Sequence, residues 1–348
     1  MERILNYGEA IREATDQEMA RDPGVFAMGI GADDHRAFYG TLKGLAEKYG
    51  RHRVIGTPLS EDAMTGMAIG AAQAGMRPIH VHERMDFILL AMNQLVNIAA
   101  KSHYMYAGAV SIPLVVRACV GRSWGQGAQH SQAFHAYFMH VPGLKVVAPT
   151  TPYDAKGCMT AAIRDDNPVI FMEHRLLHRY TGHVPTEPYE MPFGKARILG
   201  EGSDVTIVGV SFMAVESLRA RTLLASAGIK AEVIDPVSLS PLDIDTIEKS
   251  VRKTGHLLVV DNGWCACGAA AEILAQVVER VGGERALPAR RMGFAPVSCP
   301  TVKCLEEHFY PNAHTIAEAA YALTHKGQKT WNFGRTEVPE ITEFKGPF

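Results

Sequence analysis

Short apolar runs alternate with longer helical stretches along this chain, and the alternation occurs twice, on either side of a proline-bearing segment. That rhythm confines the fold to α/β layers, because strand, helix and strand in succession pack as a parallel sheet covered by its own helices. In the first half the pattern predicts strands at 25–30, 78–82, 112–117, 144–148 and 169–173. Helices are expected at 7–21, 61–75, 88–104 and 152–164. The stretch 179–197 holds Pro185, Pro188 and Pro192 and reads as a linker. Beyond it, strands are expected at 204–210, 231–234 and 256–260, and helices at 214–227, 243–254 and 269–281. The organisation this implies is a larger domain over 1–183, a linker over 184–200 and a smaller α/β domain over 201–326. A polar tail over 327–348, with Trp331, is expected to wrap over a surface or a partner. A length of 348 residues suits two domains.

A formal net charge of -2 argues against an electrostatic nucleic-acid binder, which needs a basic face. No basic start followed by an apolar run marks a secretory leader, and no apolar stretch is long enough for a bilayer. The expectation is a cytoplasmic protein with no membrane and no nucleic-acid partner. Its six cysteines should then be reduced. Neither Cys265 with Cys267 nor Cys299 with Cys304 has the spacing of a zinc knuckle, and most are expected to be buried small hydrophobes.

The segment from Glu61 to Gly75 is nearly all small or apolar. Ser60 can cap this helix, and Glu61 and Asp62 lie in its first turn. A helix apolar on every face is buried or lies in an interface. Gly66, Gly70 and Ala74, at four-residue spacing, form a smooth ridge that another helix can approach. Glu61 at its mouth is either a poised acid or a plain complement to the helix dipole. A glycine-rich loop, Gly121 to Gln132, comes after the third strand and holds His130 where an imidazole can act as acid, base or donor, or merely cap a helix. His80 and His82 share one face of a strand, with Val81 and Glu83 on the other, which is not the spacing of a helical zinc motif. Phe87 alone would be core. No Walker A pattern occurs, and Gly29-Ile30-Gly31 lacks the third glycine of a dinucleotide fingerprint, so the chain has no recognisable diphosphate cradle. A poised acid, an apolar interface and no phosphate site suggest half of an active site.

Further motifs resemble a known family. They are Thr57-Pro58-Leu59-Ser60-Glu61 with its Gly/Ala helix, Gly75-Met76-Arg77-Pro78-Ile79, Asp86-Phe87-Ile88 and Gln129-His130-Ser131-Gln132. Pro142-Gly143-Leu144-Lys145-Val146-Val147, Asp235-Pro236 and Lys253-Thr254-Gly255 extend the match. Over about residues 4–325 the chain resembles the β subunit of the thiamine-diphosphate-dependent E1 component of 2-oxoacid dehydrogenases (pyruvate, branched-chain and acetoin types), in the transketolase-like superfamily. The resemblance implies an N-terminal parallel-sheet pyrimidine-binding domain and a smaller C-terminal α/β domain of transketolase type. It also implies roles. Glu61 matches the glutamate that hydrogen-bonds N1′ of the aminopyrimidine, Phe87 the aromatic stacked on that ring, and His130 the histidine that assists acyl transfer to a lipoyl group. Glu83 lies near the cofactor's amino group. The carbonyls of Leu114, Ala162, Ile163, Asp165 and Asn167 match a monovalent-cation loop, for K+, found in some members. The Gly-Asp-Gly motif and the Mg²⁺ site belong to an α subunit, so an α2β2 assembly with cofactors at α–β interfaces is implied, together with a lipoyl acyltransferase E2.

The sequence departs from the family pattern at several positions. Val81 replaces a common Glu, Asn93 a common Asp, and Glu83 a Met or Gln, where a second acid would shift the proton affinity of Glu61. His80, His82 and Arg84 make the strand unusually polar, and Asp261 to Gly268 replaces a Glu-containing version. These changes fit an E1 for an uncommon 2-oxoacid or a relative with another acyl acceptor. Two alternatives remain: a split transketolase-like or acetoin-cleaving enzyme subunit, and a non-catalytic α/β scaffold.

Overall fold

A computed structural model describes residues 3–34, 38–121, 125–283 and 286–325. They divide into two compact units, residues 3–121 with 129–193 and residues 125–128 with 194–325. The tail 327–348 and residues 122–124 of the glycine-rich loop lie outside the described residues.

The first unit begins with β1 (Ile4–Asn6), α1 (Tyr7–Arg21), β2 (Val25–Gly29), α2 (Leu45–Tyr49), β3 (Val54–Gly56), α3 (Glu61–Gln73) and β4 (Arg77–His82). It continues through α4 (Met85–Ile88), α5 (Ala100–Met105), β5 (Val115–Val120), α6 (His135–Met139), β6 (Lys145–Val147), α7 (Pro152–Arg164), β7 (Val169–His174) and β8 (Thr181–His183). Six of its strands form the expected parallel sheet, in the order β6-β7-β5-β4-β2-β3. β4 lies inside the sheet between β2 and β5, so the turn after β4 emerges at the carboxyl edge, where open α/β sheets bind ligands. Gly29 closes β2 against β4. A Cβ there would lie 2.5 Å from the carbonyl oxygen of Val81, so only glycine allows the approach.

Local chemistry explains most boundaries. Asn6 and Glu9 form a reciprocal capping box at the start of α1. Thr151 caps α7, with Pro152 at its first position. The strand expected at 112–117 begins three residues later, because Pro113 has no N–H for the ladder. The helix expected over 88–104 is interrupted by a 3₁₀ turn at Leu89–Ala91 and a π-helical stretch at Gln94–Ala99, across which Asn97 Nδ2 donates to Asn93 Oδ1 at 2.9 Å. Residues 181–183 of the expected linker form β8, which pairs antiparallel with β1.

The second unit holds β9 (Arg197–Gly200), β10 (Val205–Gly209), α8 (Phe212–Ser226), β11 (Ala231–Asp235), β12 (Ser238–Ser240), α9 (Ile244–Thr254) and β13 (Leu257–Trp264). It ends with α10 (Ala269–Val281), β14 (Ala289–Phe294), α11 (Lys303–Glu306) and α12 (Ala313–Thr324). Its sheet runs β14-β13-β10-β11-β9, parallel except for β9 against β11. Asp243 caps α9, and Gly255 ends it in the left-handed conformation at φ 79°. The cysteines are all free. Cys119, Cys158 and Cys299 are buried, Cys265 is partly covered, and Cys267 and Cys304 are exposed. Burial therefore holds for half of them rather than most. No helix among the described residues is long and apolar enough to cross a membrane.

Candidate active site

Glu61 is the first residue of α3 and is half-buried. Ser60 does not cap it: the Ser60 side chain makes no cap hydrogen bond. The α3 helix is not covered all round either. Thr65, Ala68, Ile69 and Ala72 face the core, whereas Ala63, Gly70 and Ala74 are exposed and Met67 is 62% exposed. The smooth ridge at Gly70 therefore lies on an open apolar face.

The carboxyl end of β4 and the start of α3 enclose a cavity of about 240 Å³. Glu61, Met64, His80, His82, Glu83 and Phe87 are among its walls. The sheet thus brings together five residues that the sequence singled out: Glu61 from α3, His80, His82 and Glu83 from the end of β4 and the position after it, and Phe87 from α4. A larger cavity of about 420 Å³ lies elsewhere, bordered by Tyr104, Ile112, Pro142 and Asn167. Its walls include none of Glu61, Glu83 and Phe87, so chemistry rather than size marks the candidate site.

His130 joins the group from a separate loop. Its ring meets Phe87 edge-on, with centroids 5.3 Å apart. It does not open a helix; α6 starts five residues later, at His135. The loop is held by Asp86, which accepts from the backbone N–H of Gln132 at 3.2 Å and from Gln132 Nε2 at 2.9 Å. Burial raises the Asp86 carboxyl above its ordinary value, although the Gln132 bonds and the nearby His130 oppose the rise. In the sequence Asp86 and Gln132 stand out only as parts of motifs. Their contact joins positions 46 residues apart, which no periodicity reveals.

His80 and His82 share a face as expected, and their ring centroids lie 4.3 Å apart. His80 Nδ1 is 3.2 Å from the hydroxyl of Thr65 on α3. Burial lowers His80 to about 4 and His82 well below the usual imidazole value, with the His80 charge adding to the second. Both are therefore neutral near pH 7. Among the described residues no group of His, Cys, Asp and Glu is arranged to hold a metal ion.

Buried charge braces the sheet around the site. Arg117 on β5 donates through Nε and Nη2 to the two Glu173 oxygens, at 2.6 and 2.9 Å, and its Nη2 also reaches Thr41 Oγ1 at 2.8 Å. His178 Nε2 lies 3.1 Å from the same carboxylate. Burial opposes ionisation of Glu173, but the Arg117 charge and these bonds win and hold it down to about 2. Arg84, just beyond β4, donates to the Tyr39 hydroxyl and to the Glu83 carbonyl.

The carbonyls of the expected cation loop are partly engaged. Leu114 O accepts the N–H of Val169 at 2.9 Å. The carbonyls of Ile163 and Asp165 both accept from Arg77 Nη1 at 3.1 Å. Asp165 Oδ1 accepts the N–H of Asn167 at 2.9 Å, and Lys145 pairs with the same carboxylate. A guanidinium already supplies positive charge at two of the five carbonyls, each of which keeps a second lone pair.

Two domain models match the chain: the transketolase pyrimidine-binding domain over residues 4–181 and the transketolase C-terminal domain over residues 194–316. The β subunit of acetoin:2,6-dichlorophenolindophenol oxidoreductase from Cupriavidus necator is 44% identical over 339 residues, 94% of this chain and 100% of that subunit. The mitochondrial pyruvate dehydrogenase E1 subunit β-2 of Oryza sativa is 42% identical, covering 91% of this chain and 85% of its own length. The pyruvate dehydrogenase E1 β subunit of Rickettsia bellii is also 42% identical, covering 90% and 97%. A solved split-gene transketolase, described as an inactive β4 tetramer, superposes with a TM-score of 0.73 over 92% of this chain and 98% of its own. At 20% identity that structure supports the fold alone. With both domains present and these identities extending over nine-tenths of its length, the chain belongs to the transketolase-like E1 β subunits of the pyruvate and acetoin dehydrogenases.

Proposed function

We propose that this chain is the catalytic β subunit of a two-chain enzyme that uses thiamine diphosphate to decarboxylate a 2-oxoacid and pass the acyl group to a lipoyl group. The observation that carries the reading is that Glu61 and Phe87 line one cavity while His130 packs edge-on against Phe87. The residues fit an aminopyrimidine ring. The cavity of about 240 Å³ offers a carboxylate and an aromatic face, and its wall includes His82, whose buried Nε2 has no hydrogen-bond partner among the described residues. When bound, the cofactor supplies the electron sink for the carbanion chemistry.

Within that frame Glu61 would hold a proton at N1′ of the pyrimidine. Phe87 would offer its aromatic face to the ring. His130, tethered through Gln132 to Asp86, assists transfer to the acceptor. No recognisable diphosphate cradle occurs in the sequence, which supports a separate α subunit that holds the diphosphate and Mg²⁺ in an α2β2 assembly. The open apolar face of α3 supports a partner helix there. A monovalent cation on the Leu114, Ala162, Ile163, Asp165 and Asn167 carbonyls would share two of them with Arg77.

A second reading, cleavage of acetoin in place of oxoacid decarboxylation, is favoured by the 44% identity to the Cupriavidus subunit. Co-expression with the neighbouring α chain, followed by assay of 2-oxoacids and acetoin with thiamine diphosphate and Mg²⁺, decides between them. Absence of cofactor-dependent turnover on any of these substrates would overturn both.

A further inference from the structure

The imidazole of His82 is the feature of the cavity that the family roles do not use. It lies 3% exposed at the end of β4, and its Nε2 has no hydrogen-bond partner among the described residues. A buried polar atom left without a partner is unfavourable, so such an atom on a residue that lines a ligand-sized cavity points to a bond completed by the ligand. The rest of the ring is held. His80 packs against it at 4.3 Å between centroids, and His80 is itself fixed by Thr65 of α3 at 3.2 Å. His82 therefore has little freedom to turn toward another protein group.

We propose that His82 is a positioning residue for the occupant of this cavity, its Nε2 completing a hydrogen bond to a polar atom of the aminopyrimidine. This deepens the functional reading above and rests on it. The chemistry suits the task. Both rings are neutral near pH 7, so His82 offers a hydrogen bond without adding a positive charge beside Glu61 and without drawing the proton that Glu61 must hold. Burial is the main cause for both, and the His80 charge further opposes protonation of His82. The bond would make ligand affinity depend on a residue outside the Glu61 and Phe87 pair.

The test measures thiamine diphosphate affinity by calorimetry, with Mg²⁺, on the assembled α–β enzyme. Wild type is compared with His82→Phe, which keeps ring volume and loses the nitrogen, and with His82→Asn, which restores a polar group. His82→Phe is expected to weaken binding about tenfold and His82→Asn to recover most of the loss. The melting temperature of the cofactor-free assembly should stay level or rise in His82→Phe, because an unpartnered buried nitrogen is removed. A merely structural histidine would instead lower it. If His82→Phe does not assemble, His82→Leu is read in the same way. Binding by His82→Phe within twofold of wild type would overturn this inference and leave the functional reading standing. Failure of the wild-type assembly to bind thiamine diphosphate would remove both.

Discussion

Asp86 and Gln132 are joined by two hydrogen bonds to a single oxygen, Asp86 Oδ1, one from the Gln132 backbone and one from its side chain. The pair ties the loop carrying His130 to the short helix carrying Phe87. Replacing Asp86 by Ala should loosen that tie without touching the cavity wall. Misplacement of a catalytic group by about 1 Å costs roughly 100-fold in rate, so Asp86→Ala is expected to lower kcat by about 10- to 100-fold. Thiamine diphosphate affinity should change less than about threefold. Steady-state kinetics beside cofactor titration checks the split, and an unchanged kcat would refute the tether.

Glu61→Gln keeps shape and removes the ionisable proton. Turnover should fall by about 10²- to 10⁴-fold, the usual worth of a general acid–base group. The assembly should survive, since a single charge at a helix start contributes only about 0.3–1 kcal/mol. Size-exclusion chromatography and substrate assays on the same preparation test this. Wild-type turnover by the assembled variant would remove the catalytic assignment.

Acid should weaken the fold through His80 before it reaches Glu173. The folded-state value of His80 is about 4 against an ordinary 6.5, so the unfolded chain binds the proton more tightly. Its stabilising contribution is complete above pH 6.5 and is lost as pH falls toward 4, on the order of 3 kcal/mol in total. His82 acts with the same sign. Glu173 contributes above its ordinary 4.5 and loses that contribution as pH falls toward 2. Urea unfolding at pH 7 and pH 4.5 should show a smaller acid loss in His80→Leu than in wild type. Equal losses would contradict the buried-histidine account.

Gly70 has no atom within 4 Å of the position its Cβ would take. In the lone chain Gly70→Ala should therefore stabilise α3 by about 1 kcal/mol, the usual helix-interior difference. Gly70→Leu should leave the lone chain folded and block docking on that face. Melting curves of the isolated chain and co-purification with the α chain test the two halves. Normal assembly by Gly70→Leu would show that no helix packs there.

Much of this was legible in the sequence because it rests on local rules. Thr151 and Pro152 announce the start of α7, and Asp243 and Gly255 bracket α9. Alternation put His80 and His82 on one face. The sequence could not disclose contacts made across the fold. Asp86 with Gln132 and Arg117 with Glu173 are polar pairs 46 and 56 residues apart. Neither spacing carries a period. The π-helical stretch at Gln94–Ala99 was equally hidden, since no proline or glycine marks it. Ser60 failed as a cap although its residue type is right, because capping depends on side-chain direction as well as identity.

His80, His82, Glu83 and Phe87 come from one strand end and the turn after it, within eight consecutive positions flanked by an unbroken ladder. A genetic change confined to those few codons would reshape one wall of the cavity while the rest of the scaffold keeps its pairing. Variation of the pocket can therefore be concentrated in one short cassette, and a laboratory library restricted to it would search the shape of that wall without searching the fold.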